Sequence, residues 1–112
     1  MKHYMKEIGK TENLMGWVTK LDAVRKTYWD GHYTYRQYIP LKVTKGTKFV
    51  KLIDDNSVWG FVCMFDGNYK GEVVKKGDLM KAAGRSAVAK GPRGNIFDGT
   101  ADFTYQGPAY RI

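Results

Sequence analysis

The residues best equipped to do chemistry in this chain are cations. Between Lys70 and Arg93 lie Lys70, Lys75, Lys76, Lys81, Arg85, Lys90 and Arg93, against only Glu72 and Asp78, a net +5. Gly71, Gly77, Gly84, Gly91 and Gly94 punctuate the same stretch. Glycine lets backbone N–H groups approach a phosphate closely, and Lys and Arg supply the countercharge. The order is not that of a nucleotide-binding P-loop, because G-x-x-x-x-G-K-[ST] does not occur. "KGPRGN", 90–95, reads as a tight, positively charged loop. Lys75, Lys76, Lys81, Arg85, Lys90 and Arg93 are the candidate phosphate-binding residues. A solvated loop with ordinary lysines is the competing reading of the same charges.

Aromatic side chains interleave with the charge. "SVWGFVCMF", 57–65, matches the middle of the RNA-recognition strand signature at Trp59, Gly60, Phe61 and Val62, but lacks the leading basic–glycine pair. Strict alternation puts Trp59, Phe61, Cys63 and Phe65 on one face and Val58, Gly60, Val62 and Met64 on the other. A base-stacking platform would look like this, and so would a strand buried on both sides. Trp59, Tyr69 and Tyr110 are the candidate stacking residues. "YWDGHYTYRQY", 28–38, packs five Tyr or Trp rings and His32 into eleven residues. Those rings fit base stacking, a protein-docking surface, or simple strand formation.

Other chemistries find little footing. His3 and His32 are far apart, and no Cys/His set has metal spacing. Asp54 and Asp55 are adjacent in a turn, too few carboxylates for a two-metal site. Ser57 and Ser86 have no neighbouring base in the sequence. No cofactor, metal or catalytic residue is expected, and the chain reads as a non-enzyme. The single cysteine, Cys63, sits in an apolar strand and fits a reducing, cytoplasmic setting. No apolar run is long enough to span a membrane, and "MKHYMKEIGK" lacks the apolar stretch of a signal peptide.

The elements that must position these residues follow from periodicity. The 112 residues, 43% hydrophobic, suit a single domain, 1–112, with 1–10 as a loosely held arm or short strand. Residues 11–29 read as an amphipathic helix with Thr11 as N-cap, Glu12 in the first turn and Gly31 beyond its end. Leu14, Trp17, Val18, Leu21, Val24, Tyr28 and Trp29 share its apolar side. Arg25 points into that stripe, either snorkelling along its edge or meeting an anion or buried carboxylate; snorkelling is the simpler reading. Strands are expected at about 33–44, 47–53, 57–65 and 69–74, joined by short turns. Residues 75–84 read as a short second helix closed by Gly84, and 85–112 as a loop-rich tail anchored by Ile96, Phe97, Phe103, Tyr105 and Tyr110. The fold class is therefore α+β: a helix on a three- to four-stranded antiparallel meander.

The second half also resembles a group of small bacteriophage proteins. The matching residues are Phe61 and Val62; Gly77, Asp78, Lys81 and Ala82; Ala89, Lys90, Arg93, Gly94, Asn95 and Ile96; and Gly107, Tyr110 and Arg111. The match covers about half the chain and departs at its end, where Arg111 precedes Ile112. The resemblance implies a viral, cytoplasmic, non-enzymatic accessory protein, and it points to Lys81, Lys90, Arg93 and Asn95 as a constellation, adding Asn95 to the candidate nucleic-acid-binding residues. With 19 Lys+Arg against 11 Asp+Glu and a pI near 9.6, the leading expectation is binding of DNA or RNA, single-stranded or without sequence preference. The alternative is a module that docks on a host or viral protein through the 28–38 rings. Self-association is compatible with either.

Overall fold

The computed structural model describes residues 8–33 and 36–109. The expected arm lies largely outside them, as do Tyr35 and Tyr110. Helix α1 spans Leu14–His32, and its buried side chains include Leu14, Trp17, Val18 and Leu21, the apolar stripe of the sequence. It starts later than the Thr11 cap predicted. Asn13 is the N-cap, its Oδ1 accepting from the Gly16 amide at 2.7 Å, so Glu12 precedes the helix. Thr11 is buried and donates instead to the Ile96 carbonyl at 2.9 Å, pinning the lead-in strand of chain to the far side of the fold. The end also differs. Gly31 lies inside the helix, and extended Tyr33 closes it by donating its N–H to the Trp29 carbonyl.

Among the described residues nine short strands follow: β1 (Lys42–Lys45), β2 (Phe49–Asp54), β3 (Ser57–Cys63), β4 (Gly67–Tyr69), β5 (Glu72–Val74), β6 (Asp78–Ala82), β7 (Val88–Asn95), β8 (Phe103–Thr104) and β9 (Gly107–Pro108). The main sheet has five antiparallel strands in the order β1-β2-β3-β6-β7, and β4-β5 and β8-β9 are separate hairpins. The α+β class holds, but the meander is larger than expected and there is no second helix over 75–84. Gly77 takes φ +94, and the Asp78 carboxylate accepts from the Lys75 amide at 2.8 Å, so a tight turn launches a strand there. Leu79 and Met80 are both fully buried, one in each core cluster. A short apolar run buried on both faces has no periodicity to separate strand from helix. "KGPRGN" belongs to β7, not to a loop; Gly91 and Gly94 adopt positive φ where the β6–β7 register slips. Of the strand expected over 33–44, the described residues 36–41 are not in a strand and β1 begins at Lys42.

Each face of the sheet has its own core. Toward α1 lie Val50, Leu52, Trp59, Val62 and Leu79, with Trp17, Leu21, Ile96 and Phe103. On the opposite face Phe61, Cys63, Met80, Val74 and Val88 cluster, with Phe49, Phe65 and Tyr69 half-buried around them. Strict alternation would have put Trp59 with Phe61 and Cys63. A bulge prevents this: Leu52 pairs with Gly60 and Ile53 with Val58, leaving Trp59 as the extra residue. Trp59 thereby turns to the helix side, edge-on to Phe103 at 5.9 Å, and donates its indole N–H to the Tyr105 carbonyl at 2.8 Å. Gly60 beside it must stay small, because a Cβ would lie 2.7 Å from the Pro108 ring.

Arg25 is wholly buried, so the simpler reading of it as a snorkelling cation is overturned. Its NH2 group contacts Asp54 at 2.6 Å, NH1 donates to the Tyr38 hydroxyl at 2.8 Å, and Nε donates to the Tyr105 carbonyl at 3.2 Å. Tyr38 in turn donates to Asp22, which also accepts from the Leu41 amide at 3.0 Å. Removing one member of a buried ionic set strands the others, at a cost of ~3–5 kcal/mol. Because Asp54 is 36% exposed, Arg25→Ala is expected toward the lower end of that range, about 3 kcal/mol by urea unfolding. Arg25→Lys should recover only part of it, since a point ammonium cannot serve three directions as the fork does.

Candidate nucleic-acid interface

The structure disperses the cations of 70–93. Lys75 and Lys76 are exposed at the β5–β6 turn, where carboxylates already gather. The Asp98 carboxyl there is held below its ordinary range chiefly by hydrogen bonds from Thr100, with a smaller pull from Lys75. The Lys76 amide donates to Asp66 at 2.9 Å. Lys81 and Arg93 turn toward the chain that follows β8. Lys81 Nζ donates to the Pro108 carbonyl at 3.0 Å, and Arg93 Nε to the Ala109 carbonyl at 3.0 Å. Arg93 NH1 also reaches the Lys90 and Gly91 carbonyls. Burial, and next the nearby Arg93 charge, hold the Lys81 amine below its ordinary value. Arg85 and Lys90 are exposed.

The other candidates are structural. Asn95 is a clamp: Nδ2 donates to the Lys76 carbonyl and to Asp78, each at 3.0 Å, while Oδ1 accepts from the Phe97 amide at 2.7 Å. Trp59 is 3% exposed, which leaves no ring face for a base. Tyr69 is half-buried, with its hydroxyl donating to the Val88 carbonyl at 3.0 Å. Of the two described stacking candidates, Tyr69 is the one at a surface; Tyr110 lies outside the described residues.

A different cationic feature emerges from the strand register. Lys42, Lys45, Lys48 and Lys51 are spaced three apart, with no Asp or Glu from 41 to 53. They occupy the β1–β2 hairpin, and among the described residues no carboxylate forms a salt bridge with any of them. Thr44, Lys51, Phe61, Met80 and Pro92 form one transverse row across the five strands. Lys51 therefore lies on the face away from α1, in the same row as Phe61. Phe49 shares that face and meets Phe61, Phe65 and Tyr69 edge-on at centroid distances of 6.3, 5.8 and 4.9 Å. The Lys48 ammonium lies 5.8 Å from the Phe65 ring and the Lys70 ammonium 5.4 Å from the Tyr69 ring. Lys70 also donates to the Val88 carbonyl at 2.9 Å. Lysines thus border a patch of half-buried aromatic rings. An unbroken lysine spacing on two paired strands was the available signal, but summing charge over a long segment conceals it.

The 28–38 rings pack mainly on one another. Tyr28 stacks on His32 at 4.0 Å and on Tyr105 at 4.6 Å. Trp29 lies 4.4 Å from Tyr33, donates its indole N–H to the Arg36 carbonyl at 2.9 Å, and sits 5.9 Å from the Arg36 guanidinium. These contacts fasten residues 36–41 to α1. No protein-family model matches the chain, and no curated protein or solved structure matches it.

Burial, and next the hydrogen bond to Asp22, push the Tyr38 phenol well above its ordinary value. The unfolded phenol ionises near pH ~10 while the folded one keeps its proton. The resulting stability is complete below that pH and is lost as pH rises toward the folded value. Stability should therefore fall with pH between about 10 and 11 in urea titrations, and Tyr38→Phe should flatten that slope by up to one proton.

Proposed function

We propose that the protein binds single-stranded nucleic acid without sequence preference, as a non-enzymatic viral accessory protein acting in the host cytoplasm. The binding surface is the sheet face away from α1. Lys48, Lys51 and Lys70 neutralise phosphates there, while the exposed portions of Phe49, Phe65 and Tyr69 contact bases. The observation that carries this reading is the all-lysine β1–β2 hairpin beside that aromatic patch. Cationic grooves with aromatic rings favour single strands because every base presents a π-face once it is unstacked. Exposed Arg85 and Lys90 add long-range attraction, not contacts. Lys81, Arg93, Asn95 and Trp59 have no part in it: unlike the exposed Lys70, they are buried or half-buried as well as hydrogen-bonded within the fold.

The reading is tested by fluorescence anisotropy with a labelled oligo(dT) across a salt series. Each phosphate contact to a single strand contributes about 0.7 to the log–log slope. The Lys48→Ala, Lys51→Ala, Lys70→Ala triple variant is expected to lower the slope by about 2. Lys75→Ala with Lys76→Ala should leave it nearly unchanged. An unaltered affinity and slope in the triple variant would sink the assignment. Duplex of the same length should bind more weakly than the single strand.

A further inference from the structure

The two edges of the five-stranded sheet are treated differently. Along β7, the Val88 carbonyl accepts from Tyr69 and Lys70, the Arg93 carbonyl from the Asp102 amide, and the Asn95 carbonyl from the Ala101 amide. That edge is covered by the chain's own residues. The β1 edge has no such cover among the described residues, and Lys42, Thr44 and Lys45 are exposed.

The ladder shows which β1 groups face outward. The Gly46 amide donates to the Phe49 carbonyl, in the same antiparallel register that pairs Lys45 with Val50 and Thr44 with Lys51. Hydrogen-bonded and non-hydrogen-bonded pairs alternate along such a ladder. Thr44 and Lys42 therefore bond inward to β2, and the N–H and C=O groups of Val43 and Lys45 point away from the sheet. A cleft of about 360 Å³ adjoins the end of this edge, lined by Leu14, Met15, Lys45, Gly46, Val50 and Met64 among others. Its wall is mostly apolar, and Met15 is 53% exposed.

We propose that β1 accepts an extended acidic segment of another protein as a sixth strand. The backbone bonds run to Val43 and Lys45. Acidic side chains of the guest lie on the face away from α1, where Lys42 and Lys51 project, and an apolar side chain on the helix side enters the cleft beside Lys45. Strand addition takes its affinity from main-chain bonds and its selectivity from alternate side chains. The charge on the edge chooses the occupant. A second copy pairing antiparallel through β1 would gather the lysines of two carboxylate-free hairpins along one seam, and like charges brought close across strands are unfavourable. A carboxylate-bearing strand reverses that sign. This surface is the edge of the sheet, distinct from the face assigned to nucleic acid, and it does not depend on that assignment.

The test uses the intact protein and the end-blocked peptide TEVEVE, with TKVKVK and unstructured polyglutamate as controls. Amide hydrogen exchange should show new protection at Val43 and Lys45 on adding TEVEVE, while Lys42 and Thr44, already bonded to β2, change little. TKVKVK should protect neither. Lys45→Pro removes an outward N–H without touching the β1–β2 ladder and should weaken TEVEVE binding about tenfold, as for one lost main-chain bond. Lys45→Ala keeps that N–H and should change binding little, whereas Lys42→Ala removes a charge on the face of the guest's carboxylates and should weaken it about two- to threefold. Two results would overturn the proposal. One is no added protection at saturating TEVEVE in the unmutated protein. The other is polyglutamate binding as tightly as TEVEVE with Lys45→Pro and Lys45→Ala alike, which would mean charge adsorption alone.

Discussion

The guanidinium of Arg25 is the point on which the fold's separate pieces depend. A fully buried cation is tolerated only when its donors are met, and these are met by groups from three other parts of the chain. Asp54 comes from the end of β2, Tyr38 from the segment ahead of β1, and the Tyr105 carbonyl from the β8–β9 hairpin. The same carbonyl takes the indole N–H of Trp59. Apolar burial supplies most of the driving force for folding, but it is indifferent to direction. The Arg25 fork is directional, and it fixes where the helix, the sheet and the last hairpin sit relative to one another.

The bulge at Trp59 has the second-largest consequence. By turning one large ring from one face of β3 to the other, it gives the helix side its aromatic centre of Trp17, Trp59 and Phe103. It also thins the opposite face near the β2–β3 turn, where the half-buried Ile53 and Val58 remain. The helix side is closed by α1 and the β8–β9 hairpin. Among the described residues the other side is covered by the small β4-β5 hairpin, and its rim holds the half-buried rings and the lysines. Division of labour between the two faces thus rests on one inserted residue.

Much of this was legible in the sequence, and the failures have physical causes. The 3.6-residue apolar stripe of α1 is a local property, so its buried face was readable even though its cap was displaced from Thr11 to Asn13. Arg25 stood out as the one charge in that stripe, but its carboxylate partner lies 29 residues away and has no local signature. Leu79 and Met80 misled toward a helix because a strand buried on both faces loses its alternation. β7 misled toward a loop because its glycines and Pro92 serve register slips that only the paired strand reveals. Segment charge placed the candidate site at 70–93, yet alternation and hydrogen bonding send Lys81 and Arg93 inward. Spatial convergence of charge is a property of register, which composition does not contain.

The hairpin that closes the helix-side core also sets an order of events. Arg25 emerges from the ribosome 80 residues before the Tyr105 carbonyl that it requires, and Thr11 emerges 85 residues before the Ile96 carbonyl. Contacts so distant in sequence form late and slow folding. A nascent chain that has made α1 and β1–β3 can satisfy NH1 and NH2 of Arg25 with Tyr38 and Asp54, but its Nε is unmet and Trp59 uncovered until the last strands appear. During that interval the half-made sheet is the vulnerable species, exposed to misassociation or to capture by chaperones.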